Sequence, residues 1–134
     1  VRQIGPGITL YDHCARPYGV DGAGQTFGEN RLPEDFRHEQ YLLVEERGKR
    51  ILVSGCSHAG ILNIAEYFHP DVLVGGFHFF KRPVDDALAA DARKLAGLGI
   101  TYYTGHCTGE VQLEFLRQYI PGLERLRTGV RVEI

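Results

Sequence analysis

The sequence predicts a layered α/β fold, with helices packed on a sheet. Two β-branched apolar segments flank a glycine-containing turn and indicate a β-hairpin. After this hairpin, helical patterns alternate with short apolar strand segments. Such alternation of strands and helices along a chain is typical of α/β layering.

The N-terminal elements are a strand, a loop and the hairpin. Residues 8–12 alternate apolar and polar positions after a Gly-Pro-Gly turn, which predicts a short strand. Residues 13–37 contain several glycines, two prolines and few periodic apolar positions, which predicts a long loop of the kind found in lids and binding sites. The hairpin strands are predicted at residues 41–45 and 50–54.

Helices and strands then follow in turn. Apolar residues at helical spacing predict a helix over residues 60–68, ended by Pro70. The later elements are a strand at 71–76, a helix at 85–98 that stops at Gly99, a strand at 100–104, a helix at 110–119 and a strand at 129–134. Helices on a single side would leave the other sheet face bare, although strands this apolar are usually buried on both faces. We therefore expect a partner sheet.

Composition excludes several classes of protein. Hydrophobic residues make up 43% of the chain and charged residues 24%, which is ordinary for a globular domain. A formal net charge of -2 makes nucleic acid an unfavourable primary partner. The apolar runs are too short to span a bilayer and no export segment is evident, so we expect a cytoplasmic protein with no membrane partner. The absence of methionine predicts a fragment or processed segment.

Three histidines carry the main chemical pattern. His58, His78 and His106 each follow a predicted strand within a glycine-containing turn. In layered α/β folds the carboxyl ends of strands share an edge where ligands gather, so three loops can bring imidazoles together. Neutral imidazole is a good ligand for zinc, iron and related metals. The pattern predicts a metal site, with His58 and His106 favoured over His78.

Other interpretations of these turns remain open. A single histidine after a strand is usually a hydrogen-bonded surface or core residue, and only the shared position of all three favours ligation. Cys56 and Cys107 lie beside the proposed ligands and could bind metal as thiolates, but packing of the turns by reduced thiols is favoured. The third cysteine, Cys14, is also expected to be reduced. A thiol redox function is disfavoured because no Cys-x-x-Cys pair occurs.

The turns resemble a known family. Proteins of the metallo-β-lactamase fold, in the branch similar to dihydropterin ribofuranosylaminobenzene phosphate synthase, share four strings, which are His-Glu-Gln at 38–40, Ser-Gly-Cys-Ser-His-Ala-Gly-Ile at 54–61, Gly-Gly-Phe-His at 75–78 and Gly-His-Cys-Thr-Gly at 105–109. The resemblance implies that residues 1–134 are the C-terminal half of an αββα sandwich with a metal site between its two sheets. His58 matches the third metal motif and His106 the last. His78 matches a position where many relatives have a bridging aspartate, so it is a ligand or a substrate contact.

The family's His-x-His-x-Asp-His motif is absent from the sequence. The resemblance therefore implies that an N-terminal half of the same fold, or a second copy of the chain, completes the site. Neither His13 nor His38 replaces the motif, since neither has a second histidine two residues away.

The resemblance also implies a reaction class. We expect a metal-activated water to attack an ester, phosphoester or related bond of a small-molecule substrate. The metal would be divalent, zinc first with iron or manganese as alternatives, and two ions in the complete fold. Candidate substrate contacts are Arg16, Tyr18, Arg31 and Lys81, although a solvated loop and a surface charge pair are equally compatible with these residues. The alternative function is a non-catalytic binding or assembly module that pairs through its exposed sheet.

Overall fold

The computed structural model describes residues 1–14, 36 and 38–134. These residues form one seven-stranded sheet, in which the strand order follows the sequence, and three helices. The elements are β1 (Arg2–Gly5), β2 (Ile8–Tyr11), β3 (Tyr41–Glu46), β4 (Lys49–Ser54), α1 (Ile61–Phe68), β5 (Val72–Val74), α2 (Asp86–Gly97), β6 (Thr101–Thr104), α3 (Glu110–Leu116) and β7 (Glu124–Arg125). The predicted mixed α/β class is confirmed.

The first four strands form an antiparallel meander. The predicted hairpin is confirmed, with Tyr41 opposite Ser54. Its turn residues Arg47 and Gly48 both have positive φ, 51° and 77°, as a tight hairpin turn with right-handed strand twist requires. The predicted strand at 8–12 is β2, but β1, which pairs with it, was not predicted. Most of the predicted loop at 13–37 lies outside the described residues.

The second half of the sheet is parallel. β4 to β7 pair in parallel, and α1, α2 and α3 occupy the three connections between them. α1 packs beside α2, and α2 beside α3. On the sheet face that meets the helices, Leu52, Leu73 and Tyr102 stand side by side in register with no exposed surface. The predicted alternation of strands and helices is therefore confirmed.

The helix ends follow local sequence rules. The side chain of Asp85 caps α2 by accepting a hydrogen bond from the backbone N–H of Leu88, at 2.9 Å. α3 ends at Leu116, three residues before the predicted end, and Val111 in its first turn is exposed. None of the helices described is long and apolar enough to cross a bilayer.

The prediction for the last strand was wrong. Residues 129–134 form no strand, and β7 lies earlier, at Glu124–Arg125. Apolar residues alternate at positions 130, 132 and 134, as they do in strands, but β7 already pairs with β6 at Tyr103 and Thr104. Val130 and Ile134 are about half exposed, which fits a segment outside the sheet.

The other face of the sheet is apolar and less covered. Val53 on this face is 40% exposed, whereas its neighbour Leu52 on the helix face is fully buried. Val53 and six partly buried apolar residues lie on this face. We call this set the open sheet face, and its members are Ile8, Leu10, Leu42, Val44, Ile51, Val53 and Val74.

Candidate metal centre

The three histidine turns lie at one edge of the sheet. They follow the carboxyl ends of β4, β5 and β6, which run parallel to one another. Hydrogen bonds join neighbouring turns: the N–H of Gly76 donates to the carbonyl of Gly55 at 2.8 Å, and the N–H of Phe77 donates to Thr108 Oγ1 at 3.0 Å. These bonds hold the three turns as one unit.

A left-handed backbone conformation occurs in each turn. Ser57, His78 and His106 have φ angles of 60°, 57° and 50°. Such values are uncommon for residues other than glycine, and they cluster at functional sites, where the surrounding structure maintains them. The surrounding hydrogen bonds therefore hold the turns in a conformation that isolated peptides seldom adopt.

Glu39 fixes the position of His58. One carboxylate oxygen, Oε1, accepts a hydrogen bond from the backbone N–H of His58 at 2.7 Å and lies 3.1 Å from His58 Nδ1. The other, Oε2, accepts from the N–H of Ala59 at 3.0 Å and the hydroxyl of Tyr41 at 2.7 Å. The carboxylate favours the Nδ1–H form of the ring, so Nε2 is the nitrogen with a free lone pair for a metal.

Two aromatic rings surround His58. The Phe36 ring stacks on it, with centroids 4.1 Å apart and an interplanar angle of 10°. The His78 ring also meets the His58 ring edge-on, with centroids 4.5 Å apart. The structure therefore brings together His58 and His78, two of the three predicted ligands, and the stacked Phe36 restricts rotation of the His58 ring.

His106 lies beside two cysteines. Its Nδ1 is 3.6 Å from Cys56 Sγ, and Cys107 Sγ donates to the carbonyl of Cys56, also at 3.6 Å. One ligand atom from each of these three residues lies within 4.8 Å of the others. All three cysteines of the chain are free thiols, and burial raises the pKa of the Cys107 thiol to about 11.

Two glycines make room where the turns meet. A Cβ at Gly76 would overlap Cys107 Sγ, and a Cβ at Gly75 would lie only 2.5 Å from the carbonyl oxygen of Ser54. The missing side chains at these positions therefore allow the first and third turns to approach the second.

The predicted substrate contacts are only partly within the structure. Arg16, Tyr18 and Arg31 lie outside the described residues. Lys81 is exposed, with its ammonium group 5.3 Å from the centre of the Phe80 ring. Its neighbour Arg82 pairs with Asp91 at 2.7 Å, so that charge is already neutralised.

Sequence reasoning missed Glu39 and Phe36 as parts of the site. Glu39 is 7% exposed and lies 19 positions before His58 in the chain, so no local spacing connects the two residues. The one available signal was its place within the His-Glu-Gln string, immediately before a strand.

The fold agrees with that of a solved structure. Over 99% of this chain, the structure matches the crystal structure of Tm1679, a metal-dependent hydrolase of the β-lactamase superfamily, with a TM-score of 0.77 and 28% sequence identity. The match covers 56% of that chain. The chain belongs to the metallo-β-lactamase superfamily.

A curated protein is also similar to part of the chain in sequence. The chain is 32% identical over 96 residues to 7,8-dihydropterin-6-methyl-4-(β-D-ribofuranosyl)-aminobenzene-5'-phosphate synthase from Methanocaldococcus jannaschii. This region is 65% of the chain but only 32% of the relative, so the chain spans about a third of that protein's length. No family model matches the chain.

The donor groups at the edge fit a metal ion of this superfamily. His58 offers a ring nitrogen whose partner nitrogen faces a buried carboxylate, and His106 is exposed at the same edge. Imidazoles backed by carboxylates are usual ligands of zinc and similar divalent ions. The residues present therefore suit a divalent metal.

Proposed function

We propose that the chain supplies part of the metal centre of a metal-dependent hydrolase, with His58, His78 and His106 as imidazole ligands. The observation that carries this proposal is the buried Glu39 carboxylate, which orients the His58 ring at the edge where the other histidine turns lie. A carboxylate behind a histidine is the arrangement that orients metal-bound imidazoles in metalloenzymes.

Zinc is the proposed metal, with iron and manganese as alternatives. Zinc binds imidazole readily and has no geometric preference of its own, so it tolerates ligands that come from three separate turns. A divalent ion held by imidazoles supplies Lewis acidity and an activated water at neutral pH. The complete site is proposed to hold two ions.

The chain's own residues prepare the site. Glu39 orients the His58 ring through Nδ1, which leaves Nε2 as the nitrogen for a metal, and the stacked Phe36 ring covers one face of His58. The left-handed conformation of His78 and His106 sets the direction in which each side chain leaves its turn. Preorganisation of this kind lowers the cost of assembling a site.

The proposal includes a partner for the open sheet face. An N-terminal half of the same fold, or a second copy of the chain, would cover this apolar surface and provide the metal ligands that the sequence lacks. Sheets packed face to face bury their apolar sides about 10 Å apart, as two layers of a sandwich do. A non-catalytic assembly module would use the same face but would leave the Glu39–His58 arrangement without a role.

The substrate is proposed to be a small molecule with an ester, phosphoester or related bond. The name of the solved relative specifies hydrolase chemistry, and that of the curated relative specifies a phosphate-bearing compound. Arg16, Tyr18 and Arg31 remain predicted contacts for such a substrate. Lys81 is exposed, and its ammonium group, 5.3 Å from the centre of the Phe80 ring, is available to an anionic group of such a substrate.

Metal content tests the proposal. The purified chain and its His58→Ala variant would be equilibrated with zinc, freed of excess ion and analysed by elemental mass spectrometry. We expect His58→Ala to retain less zinc than the unchanged chain, because the ligand that Glu39 orients is gone. His13→Ala is the control, since His13 is exposed and its Nδ1 lies 2.6 Å from Asp12 Oδ1.

Equal zinc content in all three proteins would contradict the proposal. Hydrolysis is then tested on chromogenic phosphoesters and carboxylic esters, with the complementary half supplied in trans or on the same chain. We expect turnover to depend on His58 and to be unaffected by the change at His13.

A further inference from the structure

The cluster of Cys56, His106 and Cys107 uses a different pair of turns from the Glu39–His58–His78 arrangement. It joins the first and third turns, whereas His58 meets His78 across the first and second. Two thiols and one imidazole converge there, and one atom of each lies within 4.8 Å of the others. The proposed hydrolytic function gives no role to either thiol.

The geometry points to a thiolate-containing metal site: we propose that Cys56 and Cys107 join His106 to bind a soft or borderline divalent ion such as zinc. Nothing in the hydrolase proposal requires sulfur ligands. The inference rests on the proposed function in one respect, since both assign His106 as a metal ligand. It adds that the ion held by His106 also has thiolate ligands.

The separation of the donor atoms supports this proposal. Bond lengths of ~2.3 Å for zinc–sulfur and ~2.05 Å for zinc–nitrogen, at a tetrahedral angle, place sulfur and nitrogen roughly 3.6 Å apart. Cys56 Sγ and His106 Nδ1 are 3.6 Å apart. The pair therefore already has the spacing of two ligands on one tetrahedral ion.

The third donor is held in place by the fold. Cys107 Sγ donates to the carbonyl of Cys56, and it occupies the space that a side chain at Gly76 would fill. The three ligand atoms lie within 4.8 Å of one another. They therefore need to approach one another by about one ångström at most to reach the separations of a tetrahedral zinc site. His106 is exposed, so an ion and a fourth ligand, such as water, can reach the cluster from solvent.

Each thiol that binds the ion releases its proton to solvent, because the thiolate and not the thiol is the metal ligand.

Cobalt(II) is a suitable probe because thiolate ligands give it an intense near-ultraviolet charge-transfer band, whereas imidazole ligands do not. The full chain would be kept reduced and titrated with cobalt(II) without oxygen. We expect the band to appear in the wild type, to be lost in Cys56→Ser/Cys107→Ser, and to persist in Cys14→Ser, which changes the buried cysteine outside the cluster.

Circular dichroism verifies that each variant is folded. If the double variant does not fold, the single variant Cys56→Ser serves instead, and the band should fall to about half because one of the two thiolates remains. Absence of the band in the wild type, or its persistence in the folded double variant at full intensity, would overturn the inference.

His58→Ala separates this inference from the proposed function. Cobalt bound to imidazoles alone, with no thiolate band, would contradict the thiolate site and leave the hydrolase proposal standing. A cysteine-dependent band, together with unchanged total cobalt in His58→Ala, would contradict the hydrolase proposal and support the thiolate site.

Discussion

Glu39 Oε1 lies 3.1 Å from His58 Nδ1 and accepts the backbone N–H of the same residue at 2.7 Å. A single carboxylate oxygen therefore fixes both the ring and the backbone of one proposed ligand. The second oxygen meets the N–H of Ala59 and the hydroxyl of Tyr41. Because all four of these groups face Glu39 as donors, the side chain at this position must accept hydrogen bonds at both of its terminal atoms.

Glu39→Gln is expected to weaken metal binding about 10- to 100-fold, the usual effect of losing a carboxylate behind a metal-bound histidine. The glutamine amide has one accepting oxygen, so its NH₂ group would face donors that the carboxylate now satisfies. Competition with a chromophoric chelator measures the affinity. Glu46→Gln, at an exposed hairpin position, is the control, and equal affinities in the two variants would show that Glu39 does not support the site.

Gly76→Ala is expected to lower the free energy of unfolding by about 1–3 kcal/mol, because the new methyl group overlaps Cys107 Sγ. Urea denaturation measures the change. Adding Cys107→Ala should recover part of the loss, since it removes the overlapping sulfur. Gly97→Ala is the control, because a methyl group there meets nothing and lies in a helix, where alanine is favoured. A loss at position 76 that Cys107→Ala leaves unchanged would contradict this explanation.

Thr108→Val is expected to cost about 1–3 kcal/mol of unfolding free energy, since it leaves the buried N–H of Phe77 without its acceptor. It also removes the hydroxyl contact with Thr104 at 2.6 Å. Thr101→Val makes the same chemical change at an exposed strand position. Thermal or urea melts compare the two, and similar stabilities would argue against a role for the Thr108 hydroxyl in holding the turns.

The alkylation rate of Cys107 is expected to rise about tenfold per pH unit until pH approaches 11. Burial raises its pKa to about 11, so the reactive thiolate is scarce below that pH and grows as the proton is lost. Iodoacetamide labelling followed by peptide mass spectrometry gives the rate for this cysteine alone. The urea-unfolded chain should level off at lower pH, and an equally early plateau in the folded chain would show that burial does not raise the pKa.

Much of the fold follows from local patterns. The hairpin was predictable because β-branched runs flank a glycine turn, and the parallel strands because short apolar runs alternate with helical spacing. The last strand was not, since β7 has only two residues, Glu124 and Arg125, and its place depends on the free edge of β6. β1 was missed for a similar reason, as its pairing with β2 is set by the turn between them.

The site was predictable in its position but not in its pairings. The strand order places three histidine turns at one edge, as the sequence indicates. The sequence does not indicate that His58 meets His78 while His106 lies beside Cys56, because these contacts depend on backbone conformations with positive φ. Glu39 was overlooked because its contacts are distant in the chain.

The contact between Cys56 and His106 joins residues 50 positions apart in the chain. Both parallel crossovers must close before these atoms meet, and long-range pairing of this kind forms late and slowly during folding. The unfolded chain thus offers no assembled site, so an ion that binds the assembled cluster more tightly than the unfolded chain stabilises the folded state, by an amount that grows with ion concentration. The supply of metal in the surroundings would then help to set how long the folded chain survives proteolysis.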